Sequence, residues 1–367
     1  GGAAALCAVA VGLVLWRRRR RRRATRTEAR SPDVATASEA EAGESSAATT
    51  SAAALESSAL FATGGLVDVI SRGIAEHWIV PPSDLEFVAA PSLQGGFGDV
   101  RKARLMKSAD VAIKICKGLD GPDCATASAA IMLKNEIRIF RRVRHANIVL
   151  FYGVTVLQGG ALGLVLEWVA GGDLGAFVNQ RRKAGEHQAD WDACRAEGVP
   201  LPEWRLVRDV ARGLAFLHSQ TPPILHRDLK PNNVLVEATR PPKAKLTDFG
   251  LSVLMPEGRE VSSRAGTTTY MAPEVQSRRA YGIAADVYSL GCVLVFSARG
   301  RSPPAGGALQ AAMDLQAAEQ HVPPAAALAG LATDCLQTDP DSRPLVSEAF
   351  ARLGDIVDAE VPARSSS

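Results

Sequence analysis

The sequence predicts an α+β domain, strands first and helices after, preceded by a membrane-spanning helix and a flexible linker. Three observations predict it. Residues 1–16 are uncharged and mostly apolar, and seven arginines follow at once, Arg17 to Arg23. Residues 24–60 are rich in Ala, Ser, Thr and Glu and carry no sustained apolar stripe. From about residue 84 the pattern turns to short alternating stretches and then to apolar residues at helical spacing.

Sixteen helical residues span about 24 Å, short of the roughly 30 Å hydrocarbon core. Residue 1 is Gly, and a few residues upstream of it are expected to complete the span. Trp16 then falls where interfacial aromatics sit, and the Arg17–Arg23 run stops the helix on the cytosolic side. A signal peptide would place its charge before the apolar stretch, and here the charge comes after. The expectation is a single-pass membrane protein, anchored through residues 1–16 and the arginine run, with its folded domain in the cytosol. Residues 17–64 are expected to be an Arg-rich stop and a flexible juxtamembrane linker, because their composition buries too little apolar surface to offset its ordering entropy. In 65–83, Leu66, Val69, Ile70 and Ile74 recur at helical spacing, which predicts a short helix and a lead-in.

Charge and cysteine content narrow the function classes. The chain of 367 residues is 47% hydrophobic, enough for a sizeable core, and its net charge is +3. With the seven-arginine run set aside, the remaining Lys and Arg are fewer than the 39 Asp and Glu. The basicity is therefore local, and no nucleic-acid surface is expected. The 6 cysteines are scattered, without a C-x-x-C pair or zinc spacing, and read as reduced thiols.

The chemistry-bearing residues come in order along the folded part. Leu93-Gln94-Gly95-Gly96-Phe97-Gly98-Asp99-Val100 sets three glycines between extended stretches, where a backbone can approach phosphate oxygens closely. Taken alone it is a glycine turn. Val111-Ala112-Ile113-Lys114 alternates like a strand with Lys114 at its end; beside a glycine hairpin that lysine could hold phosphates, or simply face solvent. Residues 127–143 predict an amphipathic helix whose buried stripe is Ile131, Leu133, Ile137, Phe140 and Val143, with Glu136 beside it.

Leu225 to Val236 reads LHRDLKPNNVLV, a loop with Asp228, Lys230 and Asn233 between apolar flanks. A carboxylate, an ammonium and an amide together can accept a proton from a hydroxyl, neutralise a phosphoryl group and ligate a divalent metal. A strand over Lys245–Thr247 then leads into Asp248-Phe249-Gly250, a second carboxylate followed by glycine.

This set, V-A-I-K, H-R-D-L-K-P-x-N, D-F-G and then Ala272-Pro273-Glu274, resembles the protein kinases and runs in their order over residues 84–355. The resemblance implies the bilobal protein kinase fold, with a small antiparallel-sheet N-lobe holding one helix and a large, mainly helical C-lobe. A flexible tail over 356–367 would follow. It implies ATP and Mg2+ as cofactors. The hairpin Leu93–Val100 would cover the phosphates, with Ala112 behind the nucleotide. Lys114 would contact the α- and β-phosphates and pair with Glu136. Asp228 would accept the hydroxyl proton, and Lys230 would balance the γ-phosphate. Asn233 and Asp248 would bind the metal.

By the same resemblance, Leu166 is the gatekeeper, Glu167 to Val169 the hinge that hydrogen-bonds adenine, and Asp173 the acidic residue near the ribose. Glu274 would pair with Arg343, Asp286 would brace the catalytic loop, and Thr267 would touch Asp228 and Lys230. Lys230, two residues after Asp228, follows the pattern of kinases acting on serine or threonine. His145–Val154 (HANIVLFYGV) resembles the tyrosine-kinase-like group, which includes Raf-like, mixed-lineage and plant receptor-like enzymes. The expected partners are therefore ATP and proteins presenting Ser or Thr. A scaffold without chemistry would have lost Lys114, Asp228 or Asp248, and all three are present. Two departures stand out. Leu93 replaces the first loop glycine, and residues 180–203 are expected to form an extra, charged, solvated loop.

Overall fold

The computed structural model describes residues 73–88, 93–95, 98–116, 124–158, 161–255 and 260–358. The apolar start, the arginine run, the whole linker to residue 64 and the chain end lie outside the described residues. Among the described residues, no helix is long and apolar enough to cross a membrane. Of the short helix and lead-in expected over 65–83, residues 73–83 are described; 73–75 are helical and 76–77 form a turn, and Ile74 is exposed.

The described residues fall into two compact units, one within 1–130 and 153–165, the other within 131–152 and 166–367. The first is built on a sheet. Its strands are β1 (Leu85–Phe87), β2 (Leu93–Gly95), β3 (Gly98–Leu105), β4 (Ala109–Cys116), β5 (Phe151–Val156) and β6 (Leu162–Glu167), in the order β1-β3-β4-β6-β5, with β2 also on β3. Strand β3 pairs antiparallel along its whole length with β4, placing Val100 opposite Lys114. Alternation does the folding: Ala103, Val111, Ile113 and Val165 point into one apolar cluster with Val80 and Leu85.

Helix α1 (Cys124–Phe140) begins in this unit and continues in the second. It starts and ends three residues earlier than its periodicity predicts. Leu133, Glu136, Ile137, Ile139 and Phe140 are buried, but Ile131 is 54% exposed and lies off the stripe. The true buried face is turned toward Glu136 and Ile139. Phe140 stacks on Phe151 and meets Phe249 edge-on, at 5.6 and 5.0 Å between centroids.

The second unit is mainly helical: α2 (Leu174–Lys183), α3 (Glu186–Glu197), α4 (Pro202–His218), α5 (Pro273–Gln276), α6 (Ala284–Arg299), α7 (Ala308–Ala318), α8 (Pro323–Cys335) and α9 (Val346–Asp358). Helix α6 is buried on every side from Ala285 to Ala298, as expected of a helix that is apolar all round. Pro202 opens α4, where its missing N–H costs nothing, and the buried face of α4 runs from Trp204 to Leu217.

The expected solvated loop over 180–203 is instead mostly helical, with one face packed and the other exposed. Helix α3 buries His187, Trp191 and Cys194, a stripe at helical spacing. Its neighbours explain why. The last carbonyls of a helix lack internal partners, and here those of α6 receive three side-chain contacts. Trp191 Nε1 donates to Ala298 O at 2.8 Å, and Arg182 Nη1 donates to Gly300 O at 2.8 Å. His187 Nε2 lies 3.4 Å from Ser297 O. Trp191 also meets Trp204 edge-on, and Arg195 pairs with Glu319. Of the charges in this stretch, Arg181, Arg182 and Arg195 face acids or a carbonyl, while Lys183, Glu186, Asp192 and Glu197 are exposed.

Candidate active site

Two short antiparallel sheets position the loop around Asp228. Strand β7 (Ile224–Leu225) pairs with β10 (Val253–Leu254), and β8 (Val234–Glu237) pairs with β9 (Lys243–Leu246). The loop between β7 and β8 carries Asp228, Lys230 and Asn233. The segment leaving β9 carries Asp248, and Thr247 N–H donates to Asn233 O at 3.1 Å, which sets the two loops side by side.

Asp228 is buried, and both of its oxygens are used. Oδ1 accepts from the backbone N–H and the hydroxyl of Thr267, each at 2.8 Å. Oδ2 accepts from Lys230 Nζ at 2.7 Å and from Asn233 Nδ2 at 2.9 Å. Lys230 Nζ also donates to Thr267 Oγ1 at 2.8 Å. The loop's backbone is held from behind by Asp286 of α6, which accepts from His226 N–H at 2.8 Å and Arg227 N–H at 2.9 Å. His218 Nε2 is 3.0 Å from the same carboxylate. Burial opposes charge on Asp286, but the hydrogen bond and charge of His218, the charge of His226 and the Arg227 N–H outweigh it. The carboxyl is held below its ordinary value.

Backbone strain gathers here. Arg227 and Asp248 both have positive φ, 68° and 66°, an uncommon state for residues with a side chain. Gly266 has φ 106°, and a Cβ on it would lie 2.3 Å from Arg227 O, so only glycine lets this segment close over the loop. Arg227 donates through Nη1 to Leu251 O and through Nη2 to Ser263 O and Oγ, the last at 2.7 Å. Glu274 and Arg343 form the expected ion pair, bidentate at 2.7 and 2.8 Å and buried.

Residues 94–352 match the family model described as the protein kinase domain. The chain belongs to the protein kinase family. It is 29% identical over 299 residues to mouse serine/threonine-protein kinase A-Raf, covering 77% of this chain and 45% of that one. It is 31% identical over 291 residues to dual specificity protein kinase splA of Dictyostelium discoideum, covering 74% of this chain and 12% of that one. Over 233 residues it is 31% identical to serine/threonine-protein kinase VIK of Arabidopsis thaliana, at 62% and 49% coverage. Receptor-like kinases of Arabidopsis also match. The chain is thus a eukaryotic-type kinase with tyrosine-kinase-like relatives, and it spans less than half of the length of these three.

The remaining kinase-signature residues are placed as follows. Lys114 lies on β4 opposite Val100, and Ala112 lies two residues before it. Glu136 is buried on α1. Leu93, Gln94 and Gly95 form β2 against Gly98–Val100 of β3, while Gly96 and Phe97 lie outside the described residues. Leu166 is buried at the end of β6. Val169 follows that strand. Asp173 caps α2, its Oδ1 accepting from Ala176 N–H at 2.8 Å, and its Oδ2 accepts from Asn232 of the Asp228 loop at 3.5 Å.

The donor set suits a hard divalent cation. Asn233 spends its Nδ2 on Asp228 O and Oδ2, at 2.8 and 2.9 Å, so its Oδ1 is the atom that could reach a metal. The Asp248 carboxylate would be the second oxygen donor of the kind Mg2+ accepts while keeping several waters.

Sequence reasoning missed His218 behind Asp286 and the ion pair of Lys245 with Glu167. Both are long-range, and neither residue belongs to a motif; a histidine at a helix end and a strand lysine carry no local signal.

Proposed function

We propose that the chain transfers the γ-phosphoryl group of ATP to serine and threonine hydroxyls of proteins. The observation that carries this reading is Thr267 Oγ1, seated 2.8 Å from both Asp228 Oδ1 and Lys230 Nζ. A hydroxyl at that spot can give its proton to a carboxylate while an ammonium stands ready for the phosphoryl oxygens, which is what the reaction needs.

In this reading the Leu93–Val100 hairpin covers the phosphates, and Lys114, oriented by Glu136, holds the α- and β-phosphates. The backbone of Glu167 to Val169 binds adenine beside Leu166, and Asp173 lies near the ribose. Asn233 and Asp248 would hold magnesium, which supplies positive charge against the phosphate oxygens. The acceptor oxygen bonds to the γ-phosphorus, its proton passes to Asp228, and the bond to the bridging oxygen of ADP breaks. Lys230 stabilises the charge on the transferred group. Catalysis comes mainly from positioning and charge.

Serine/threonine specificity rests on Lys230 and on relatives named as serine/threonine kinases, among them A-Raf and VIK. Phosphoamino-acid analysis of the autophosphorylated chain tests it. Phosphoserine and phosphothreonine are expected, and predominant phosphotyrosine would overturn the assignment.

The membrane anchor is part of the same reading, supported by the uncharged residues 1–16 and the arginines that follow. Protease added to the cytosolic face of intact vesicles should digest the chain beyond residue 24; full protection of the kinase domain would exclude this topology.

A further inference from the structure

Lys245 has no part in the chemistry above. It stands on β9, three residues before Asp248, and its side chain is only 13% exposed. Its Nζ donates to both carboxylate oxygens of Glu167, at 2.7 and 2.9 Å, and pairs with Glu237 Oε1 at 3.2 Å. Burial works against the ammonium, but the hydrogen bonds and charges of Glu167 and Glu237 more than offset it and raise its pKa. Glu167, at the end of β6, is the first residue of the segment assigned to adenine.

A strip of chain runs between these two residues. Asn147 O accepts from Leu246 N–H at 2.8 Å, and Val149 N–H donates to Leu246 O at 2.9 Å, so residues 147–149 lie along β9. Asn147 Nδ2 donates to Ala244 O at 2.9 Å. On the other side, Glu167 N–H donates to Leu150 O at 2.8 Å, and Leu150 N–H donates to Glu167 Oε2 at 3.1 Å. Backbone bonds therefore link β9 to the strip and the strip to Glu167, and the Lys245 side chain closes the same span directly. Strand β9 is also in register with β8, Val234 opposite Leu246. That hairpin is flanked by Asn233 on one side and Asp248 on the other.

We propose that the Lys245–Glu167 ion pair is a positioning clamp for phosphoryl transfer, holding the adenine-binding segment in fixed relation to the hairpin flanked by Asn233 and Asp248. It rests on the nucleotide-site reading above. Exposed ion pairs contribute little because water screens them and holding two long side chains costs entropy. This pair is mostly buried, makes two short charge-assisted bonds, and uses a carboxylate that a backbone N–H also fixes. Its geometry is thus held from both ends, which is what a clamp requires.

The test compares full-length wild type with Lys245→Met, Lys245→Arg, Glu167→Gln and the double variant Lys245→Met/Glu167→Gln. The readouts are ATP KM, peptide KM, kcat, nucleotide affinity by direct titration and amide exchange. Glu167→Gln is nearly isosteric and keeps an acceptor for Leu150 N–H, so it serves if Lys245→Met does not fold. Lys245→Met and Glu167→Gln should each raise ATP KM and nucleotide Kd about five- to tenfold, in the range of couplings between contacting residues. Peptide KM should stay near wild type, and exchange at residues 147–150 and 166–169 should quicken. The double variant should be little worse than either single one, and Lys245→Arg should recover most of the affinity. Unchanged or tighter nucleotide binding in both single variants overturns the clamp, as does lower melting temperature with unaltered ATP KM. Lys114→Met separates the two levels. If it too leaves nucleotide affinity at the wild-type value, the nucleotide-site reading fails; if it weakens binding and the clamp variants do not, only the clamp fails.

Discussion

Both oxygens of Asp228 are occupied by donors, and that occupation holds the carboxylate in one orientation. Asn233 and Lys230 fix Oδ2, while Oδ1 faces a hydroxyl. Asp286 shows the same logic one layer further back. Its carboxylate holds the backbone N–H groups of His226 and Arg227, and its folded-state pKa lies below the ordinary 3.8. The consequence for stability has a definite sign. A depressed carboxyl contributes stability that is fully present above its unfolded pKa and is lost as pH falls through the folded value. The stability difference between wild type and Asp286→Asn should therefore shrink as pH falls from about 5 to below about 4. Denaturant titrations of both proteins across that range measure it. A difference that grows as pH falls would contradict the account.

Among the elements, α3 separates packing from pattern. Its sequence, EHQADWDACRAE, is charged and poor in aliphatics, which predicts a solvated stretch. The structure buries Trp191 to 6% exposure and spends its indole N–H on Ala298 O. Trp191→Ala should cost about 3–5 kcal/mol, the range for buried aromatic truncation. Chemical denaturation measures this, and a cost under about 0.5 kcal/mol, typical of surface substitutions, would restore the solvated-loop reading. The kinase motifs were legible because each needs particular residue types in a fixed local order. The α3 contacts were not, because the acceptors are carbonyls at the end of α6, more than 100 residues away. Ile131 misled for a related reason: an apolar residue at stripe spacing signals a face, and which face is buried depends on partners such as Phe151 and Phe249.

The segment from Asp248 to Glu274 is tied to the loop around Asp228 through Arg227. Arg227 Nη2 already donates to Ser263 Oγ at 2.7 Å, between the exposed residues Ser262 and Arg264. A phosphate there would add about −1.5 to −2 charge against the guanidinium and order the segment further. The Ser262→Ala/Ser263→Ala variant is expected to keep its melting temperature and lose most of its activity. Equal activity, with mass spectrometry confirming phosphate at these positions in wild type, would exclude the switch.

At the scale of the whole molecule, the two units divide the expected labour. The glycine hairpin and Lys114 belong to the sheet-based unit; Asp228, Lys230, Asn233 and Asp248 belong to the helical one. The rigid core of the second unit, α6, explains why the Asp228 loop can hold Arg227 at positive φ: Asp286 fixes the N–H groups of His226 and Arg227 from a helix buried on every side. The central claim is that these residues together perform ATP-dependent phosphoryl transfer, and one measurement tests it most directly. Purified full-length chain, its Asp228→Asn variant and its Lys114→Met variant are given γ-labelled ATP and Mg2+, and transfer of label to protein is followed. The account predicts transfer by wild type, a loss of about a hundredfold or more in Asp228→Asn with nucleotide binding kept, and a comparable loss in Lys114→Met. Wild-type rates in either variant, or no transfer by folded, phosphorylated wild type, would contradict it.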